Sequence, residues 1–133
     1  MIAIDTNVLL RLLVDDPNEK QQAQLARDLL NQHGQVWVSA IVLIETIWVL
    51  QSRYKLTKEH LIVVIEKLIQ HPRIHLENTA SVDNALTLYS ACNTGFADCT
   101  ILNEAKKKQL ILHTFDRKLA RLHGAKRVGD EAV

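Results

Sequence analysis

The sequence predicts an α/β protein with a parallel sheet that is covered by helices on both faces. Short apolar segments typical of buried strands alternate along the chain with longer segments of helical periodicity. Parallel strands require crossover connections of this kind, and the crossover helices cover the faces of the sheet. The length of 133 residues suits one domain, which we place at residues 1–133.

The first elements begin with an apolar strand at residues 2–4, which ends at Asp5. A helix is expected over residues 7–14. The segment 16–19 then has the composition of a helix start, with aspartate at the N-cap, proline at the first helical position and glutamate at the third. Gly34 is expected to end the helix that follows.

Two further strands frame the next pair of helices. Residues 36–38 form the second strand, and Ser39 is placed to cap the helix after it. Thr57 opens another helix, which the His71-Pro72 dipeptide stops because the residue before proline avoids helical geometry. Residues 74–76 form the third strand.

The remaining elements complete the alternation. Thr79 or Ser81 is expected to cap a helix with apolar residues at helical spacing over residues 82–89, and another helix is expected over residues 96–108. Residues 110–112 are predicted to form the fourth strand, leading to Thr114-Phe115-Asp116. A short basic helix and a weak fifth strand around residues 126–128 close the domain.

The helix that opens at Thr57 carries more apolar residues than one buried face requires. Two interpretations remain open. The helix is either enclosed in the core of its own domain, or part of its surface, with Trp48, contacts a second subunit or a protein partner. The apolar side chains concerned are Leu61, Ile62, Val63, Val64, Ile65, Leu68 and Ile69.

Charge is balanced overall but uneven along the chain. The formal net charge is +1, whereas residues 106–127 contain eight basic residues and one acid, Asp116. Positive potential beside an acidic site favours the approach of a polyanion, although a solvated helix face would explain the same residues. No apolar run is long enough to span a bilayer. Cys92 and Cys99 are expected to be reduced thiols, and no secretory signal is recognised at the N-terminus, so we expect a cytoplasmic protein.

Four acids occupy positions where strands end or apolar helices run. Asp5 and Asp116 follow the first and fourth predicted strands, at the sheet edge where ligands of parallel sheets bind. Glu45 has apolar neighbours three and four residues away on both sides, and Asp98 precedes an apolar helical stripe. Each acid alone has a structural explanation, as a helix cap or as half of an ion pair. Together they predict a functional cluster.

Clustered carboxylates repel each other unless a cation neutralises them. Mg²⁺ or Mn²⁺ fits best, because these ions prefer oxygen ligands and bind few carboxylates together with substrate phosphate. No set of cysteine and histidine residues has the spacing of a zinc site. Such a carboxylate cluster is suited to the cleavage of phosphodiester bonds.

Four segments now show a family resemblance. The chain resembles PIN-domain proteins of the VapC toxin type in its opening MIAIDTNVLL, in SAIVLIE around Glu45, in GFADC around Asp98 and in LHTFD ending at Asp116. The resemblance covers essentially the whole chain. It implies a PIN-like three-layer sandwich, in which a five-stranded parallel sheet has helices on both faces.

The resemblance also implies an activity and its partners. It implies a Mg²⁺- or Mn²⁺-dependent endoribonuclease, the toxin of a type II (VapBC-type) toxin–antitoxin system, with tRNA as one candidate substrate. Such toxins are usually homodimers, and the C-terminal tail of a protein antitoxin covers their acidic groove. Asp5, Glu45, Asp98 and Asp116 would be the catalytic and metal-binding acids, with supporting roles for the residues Thr6, Asn7 and Thr114.

The sequence supports other functions less well. A phosphatase of the haloacid dehalogenase type requires a second acid two residues after Asp5, where this chain has Asn7. A receiver domain requires a phosphoacceptor aspartate after the third strand, where His75-Leu76-Glu77 provides none. A PIN-like module that binds protein or RNA without catalysis, and a DNA-directed nuclease of the same fold, remain as alternatives.

Overall fold

The computed structural model describes residues 1–129, which contain five short strands and seven α-helices. The chain divides into two compact units, the first spanning Met1–Thr79 and the second beginning at Ala80. Every strand pairs in parallel with its neighbour, so the predicted α/β class with parallel strands is confirmed. Residues 130–133 of the predicted domain lie outside the described residues, and the assignment of residues 1–133 to one domain stays a prediction.

The first unit is built around a three-stranded sheet in the order β1-β2-β3. The register pairs Ile2 with Val36 and Val36 with Ile74, which aligns the carboxyl ends of the three strands. The elements in chain order are β1 (Ile2–Ala3), α1 (Thr6–Leu13), a 3-10 turn (Pro17–Glu19), α2 (Lys20–His33), β2 (Val36–Val38), α3 (Ala40–Ser52), α4 (Lys58–Gln70) and β3 (Ile74–Leu76).

Helices α3 and α4 begin where the sequence places them. The Ser39 hydroxyl accepts a hydrogen bond from the Val42 backbone N–H at 3.2 Å, and the Thr57 hydroxyl accepts one from the His60 N–H at 3.3 Å. Each bond satisfies a backbone donor that the first turn of a helix leaves unpaired. These caps fix the start of α3 directly after β2, and so fix the position of Glu45 along it.

The core of the first unit consists of apolar side chains from both the sheet and its helices. Helix α4 buries one face only, since Leu61, Ile65 and Leu68 are buried while Val63 on the opposite side is 44% exposed. One face of α4 therefore belongs to the core, as the first interpretation requires. The apolar side chain of Val63 on the opposite face is left uncovered, which is compatible with the second interpretation.

The second unit contains a two-stranded parallel sheet and three helices among its described residues. Thr114 and Arg127 are paired in register at the carboxyl ends of the two strands. The aromatic rings of Tyr89 and Phe96 pack edge to face with centroids 5.7 Å apart. The elements in chain order are α5 (Thr79–Ala91), α6 (Phe96–Lys107), β4 (Leu112–Thr114), α7 (Arg117–Ala120) and β5 (Ala125–Arg127).

The fourth strand begins two residues later than predicted. Residues 108–110 form the turn that ends α6, with Gln109 in the left-handed region at φ 60° and the Leu110 N–H bonded to the Ala105 carbonyl at 3.0 Å. Leu110 and Ile111 are more than half exposed. The prediction of a strand at residues 110–112 was therefore wrong at its start, because the first part of that apolar run closes the helix.

The five strands form a three-stranded and a two-stranded sheet. A single five-stranded sheet in a three-layer sandwich is therefore not confirmed, and it stays a prediction. Among residues 1–129, no helix has the length and apolar character needed to cross a membrane.

Candidate metal-binding and catalytic site

Asp5 stands at the junction between β1 and α1. Its Oδ1 atom accepts a hydrogen bond from the Val8 backbone N–H at 3.1 Å, so the carboxylate caps α1 as well as following the strand. The side chain is exposed to solvent. Asp5 therefore acts as a helix cap, as the sequence indicated, and its carboxylate is still accessible to a ligand.

Glu45 is exposed on α3, although its neighbours in the sequence are apolar. Ile41 and Trp48, one turn away on either side, are 71% and 66% exposed. Glu45 thus lies on an exposed side of α3, which its apolar neighbours in the sequence did not indicate. No described lysine or arginine forms an ion pair with Glu45, and an exposed carboxylate needs none.

The hydroxyl group of Thr6 links the first two acids. It donates a hydrogen bond to Glu45 Oε2 at 2.9 Å, and Thr6 directly follows Asp5. We call Asp5 and Glu45 the first acid pair. The predicted role of Thr6, orienting a carboxylate, agrees with this contact.

Asp98 and Asp116 form the second acid pair, in the second unit. Asp98 is half-buried in the first turn of α6. Its partial burial, and then the negative charge of Asp116, raise the pKa of the Asp98 carboxyl above its ordinary value. The two carboxylates are therefore close enough for their charges to interact.

Thr114 and the start of α7 fix the position of Asp116. The Asp116 backbone N–H donates to Thr114 Oγ1 at 3.0 Å, and Asp116 Oδ1 accepts a bond from the Leu119 N–H at 2.8 Å. Thr114 thus supports Asp116 through the backbone, while the Asp116 side chain caps α7. Asn7, the third predicted supporting residue, is exposed and lines a cavity together with Asp5.

The donor atoms of both pairs are carboxylate oxygens, which suit Mg²⁺ or Mn²⁺. Within residues 1–129, no three histidine, cysteine, aspartate or glutamate side chains are grouped closely enough to hold a metal ion. Asp98 and Asp116 interact in the second unit, and in the first unit Glu45 is bonded to Thr6, the residue that follows Asp5. Burial and then the negative charge of Asp116 raise the pKa of Asp98, and the repulsion between the two carboxylates is of the kind that a divalent cation relieves. The carboxylate oxygens therefore fit the predicted Mg²⁺ or Mn²⁺ ion. That all four acids bind one ion together is a proposal.

The cysteines next to the second acid pair are packing residues. Cys92 Sγ lies 3.5 Å from Cys99 Sγ, and the Thr94 hydroxyl lies 3.3 Å from each sulfur atom. The two thiols form no disulfide. Burial raises the pKa of the Cys99 thiol to about 11, so this thiol stays protonated and is a poor metal ligand at neutral pH. Cys99 instead anchors the first turn of α6, which carries Asp98.

A polar network around Arg11 was missed by the sequence analysis. Arg11 is buried on α1, and its guanidinium donates to Gln22 Oε1 at 3.0 Å and to the Tyr54 hydroxyl at 3.2 Å. The Tyr54 hydroxyl in turn donates to Asp16 Oδ2 at 2.9 Å. The one signal in the sequence is a single arginine within an otherwise apolar helix.

This network borders a surface cavity of about 530 Å³ between α1 and α2. The cavity begins at Asp5 and continues along the exposed, largely apolar side of α2. Its lining includes Asp5, Asn7, Val8, Arg11, Gln22 and Leu25. The Arg11 network therefore fixes the helix that carries the Asp5 cap, and is a structural support for the first acid pair.

The Asp16 carboxylate should make stability depend on pH. Its pKa is lowered, first by the bond from the Asn18 backbone N–H and then by the bond from the Tyr54 hydroxyl. A depressed pKa in the folded state adds stability above the unfolded pKa, and this is lost as the pH falls through the folded pKa. We expect Asp16→Asn to lower the melting temperature at pH 7, with the difference vanishing in strong acid.

Thermal denaturation between pH 2.5 and 7.5 measures the effect of Asp16→Asn. Asp15→Asn is the matched control, because Asp15 is the exposed neighbour with the same charge. An equal loss of stability at every pH would contradict the assignment to the Asp16 charge.

Thr6→Val should impair function through Glu45 alone. The substitution keeps the shape of the side chain and removes the hydroxyl that bonds Glu45 Oε2. Partners that orient a metal-binding side chain typically contribute about 10–100-fold to activity. We expect the activity of the site to fall by that factor with little change in melting temperature, and Thr6→Ser to restore it. A Thr6→Ser variant as weak as Thr6→Val would contradict the role of the hydroxyl.

With the fold and both acid pairs described, the class of protein follows. The PIN domain family model matches residues 2–125, and the chain belongs to the PIN domain family. It is 28% identical over 126 residues to a VapC ribonuclease of Aquifex aeolicus (strain VF5), covering 92% of each chain. Among solved structures, it matches the crystal structure of FitAcB from Neisseria gonorrhoeae with 24% identity, full coverage of both chains and a TM-score of 0.35.

Proposed function

We propose that this protein is a Mg²⁺- or Mn²⁺-dependent endoribonuclease, the toxin of a type II toxin–antitoxin system of the VapBC type. The observation that carries the proposal is the presence of all four acids, in two pairs, in a chain that matches the PIN family over residues 2–125. The relative named VapC ribonuclease supports the choice of RNA over DNA as substrate.

The four acids, Asp5, Glu45, Asp98 and Asp116, would hold the ion. When bound, Mg²⁺ or Mn²⁺ supplies activation of water and neutralisation of charge at the scissile phosphate. One of these carboxylates would accept the proton of the attacking water, a role that a positioned carboxylate can take.

The neighbouring groups keep the carboxylates in place. Thr6 holds Glu45 through its hydroxyl, and Thr114 holds Asp116 through the backbone N–H. Because three of the four acids also lie at helix starts, their backbones are fixed by the helices that follow. The site is thus preorganised by local structure, which lowers the cost of ordering it on substrate binding.

The proposed partners are RNA, with tRNA as a candidate, a second copy of the chain, and a protein antitoxin in the cytoplasm. Exposed apolar side chains beside Glu45 support a protein partner at the first acid pair, since Ile41 and Trp48 flank this acid on α3. A partner that covers these side chains would also cover Glu45, which is how an antitoxin would block the site.

Cleavage of total RNA and of purified tRNA tests the proposal. We expect discrete cuts with Mg²⁺ or Mn²⁺ and none with a chelator. Asp5→Asn is the matched inactive variant, because asparagine can still cap α1 while the charge is lost. The absence of cuts by folded, metal-loaded wild type would favour the alternative, a PIN-like module that binds RNA or protein without catalysis.

A further inference from the structure

Two thiols lie in contact at the junction between α5 and α6. Cys92 directly follows α5, and Cys99 lies in the first turn of α6. Their Sγ atoms are 3.5 Å apart, although the residues are seven positions apart in the chain. The protein contains only these two cysteines, and both are reduced in the structure. The fold thus brings all of its thiols together as one pair.

The segment between the two helices holds this thiol pair in place. The Thr94 hydroxyl lies 3.3 Å from each sulfur atom, and Thr94 is itself buried. The Gly95 carbonyl accepts a hydrogen bond from the Cys99 backbone N–H at 3.1 Å. The sulfur atoms of a disulfide are about 2.05 Å apart, so a small approach by rotation of the side chains would close the bond. The two thiols are therefore placed for cross-linking.

The two cysteines differ in their access to solvent. Cys92 is half-buried and lies between the exposed residues Ala91 and Asn93, whereas Cys99 is completely buried. A small oxidant therefore reaches Cys92 first, and Cys99 lies behind it as the second thiol. Redox-sensing cysteines often have this arrangement, in which an accessible thiol has a resolving thiol beside it.

The thiol pair is connected to the second acid pair through Cys99. Asp98 directly precedes Cys99, and both residues lie in the first turn of α6. Asp98 is half-buried, so the position of its carboxylate depends on how this turn packs. Movement of Cys99 Sγ towards Cys92 would shift the turn, and the Asp98 carboxylate would move with it.

We propose that Cys92 and Cys99 form a reversible disulfide in response to a hydroperoxide, and that this disulfide weakens the acid site by displacing Asp98. The cross-link is inferred from the two thiols themselves. Its effect on RNA cleavage rests on the proposed function. In the reduced protein the thiols pack at the start of α6, and in the oxidised protein they would regulate the site next to it.

The reaction balances with hydrogen peroxide as the two-electron oxidant. Cys92 Sγ attacks one peroxide oxygen, the O–O bond breaks, and the thiol proton leaves with the other oxygen as water. Cys99 Sγ then attacks the sulfur of the Cys92 sulfenic acid, the S–O bond breaks, and the Cys99 thiol proton leaves with that oxygen as a second water. The two thiols are thus oxidised to a disulfide while the peroxide is reduced to water. A small dithiol reverses the reaction by thiol–disulfide exchange.

Mass spectrometry of the full chain after treatment with hydrogen peroxide tests the cross-link. We expect the wild type to lose two hydrogen atoms in mass and both alkylatable thiols, and dithiothreitol to restore them. Chymotryptic cleavage after Phe96 separates the two cysteines, so peptides that stay joined would identify the disulfide. Sulfinic acid at Cys92 with Cys99 still reduced, or disulfides between chains only, would overturn the proposal.

Cys92→Ser is the matched control for the effect on the site. It removes the accessible thiol and leaves Cys99 in the packing of α6. Met1 is 71% exposed, and its oxidation by peroxide would be the same in this variant and in the wild type. The peroxide is removed before either protein is assayed.

We expect RNA cleavage by the wild type to fall at least about tenfold after oxidation, since a displacement of about 1 Å can cost about 10²-fold in rate. Dithiothreitol should restore the cleavage. Cys92→Ser should cleave RNA like the reduced wild type, both before and after the treatment. An equal loss of cleavage in the two proteins would overturn the regulatory role of the thiol pair.

Calorimetry with Mn²⁺ separates a failure of this inference from a failure of the proposed nuclease. If the reduced wild type binds Mn²⁺ but cuts no RNA, the nuclease assignment fails. A Kd for Mn²⁺ that rises at least about tenfold on disulfide formation, and not in Cys92→Ser, would still support the displacement of Asp98. A disulfide that changes neither the Mn²⁺ affinity nor the cleavage of RNA would overturn it.

Discussion

Asp98→Asn is expected to reduce RNA cleavage by about 10²–10⁴-fold, because it removes one of the four carboxylates that would hold the ion or take up the proton of the attacking water. Asparagine has nearly the same shape as aspartate, but it neither accepts a proton at neutral pH nor binds a hard divalent ion strongly. The side chain is half-buried in the first turn of α6, where a neutral amide is accommodated easily. The loss should therefore appear in cleavage rate and not in folding.

The same variant should be as stable as the wild type at neutral pH, or more stable. Burial and then the charge of Asp116 raise the pKa of Asp98 in the folded protein. A carboxyl with a raised pKa costs stability above its folded pKa, and the cost disappears as the pH falls through the folded pKa toward the unfolded value. Any gain in melting temperature from Asp98→Asn should therefore shrink as the solution is acidified.

Parallel cleavage assays and thermal denaturation between pH 3 and 7.5 check both halves of this expectation. Asp83→Asn is the matched control, since Asp83 is an exposed acid on α5 of the same unit. Marked destabilisation by Asp98→Asn at pH 7 would show that the carboxylate is structural. Undiminished cleavage would remove Asp98 from the site.

Local chemistry explains which elements could be predicted from the sequence. Asp16, Ser39 and Thr57 were each predicted to begin a helical segment, and each side chain accepts a backbone N–H bond there. Such a cap depends only on residues two or three positions away, so the start of the helix can be predicted from the local sequence. The start of β4 depends on where α6 unwinds, and the apolar run over 110–112 contains no residue that marks this point.

The site was less predictable because burial depends on residues distant in the chain. Helix α3 has apolar residues on all sides, so its sequence does not indicate that Ile41 and Trp48 face outward. Glu45 lies on the same exposed side. The Arg11 network joins residues 11 and 43 positions apart. Similarly, the basic residues after Lys106 were recognised as a charged segment, but only the packing of α7 on β5 places three arginines around one cavity.

The largest loss of stability is expected from Leu61→Ala on α4. Leu61 is completely buried, and removing such a side chain costs about 2–5 kcal/mol through lost burial and the cavity left behind. Val63→Ala on the same helix is the matched control. Its side chain is 44% exposed, so we expect a change within about 0.5 kcal/mol, because surface substitutions are usually small and alanine favours the helix.

Urea denaturation of both α4 variants at several protein concentrations measures these values. A small effect of Leu61→Ala would contradict the one-sided burial of α4. A loss of more than about 1 kcal/mol from Val63→Ala would mean that its exposed side chain is covered in solution. If that loss grew with protein concentration, the cover would be a second copy of the chain, because only an associating state gains stability by mass action. Helix α4 would then contribute to a homodimer interface as well as to the core, and the two interpretations of its apolar excess would both hold.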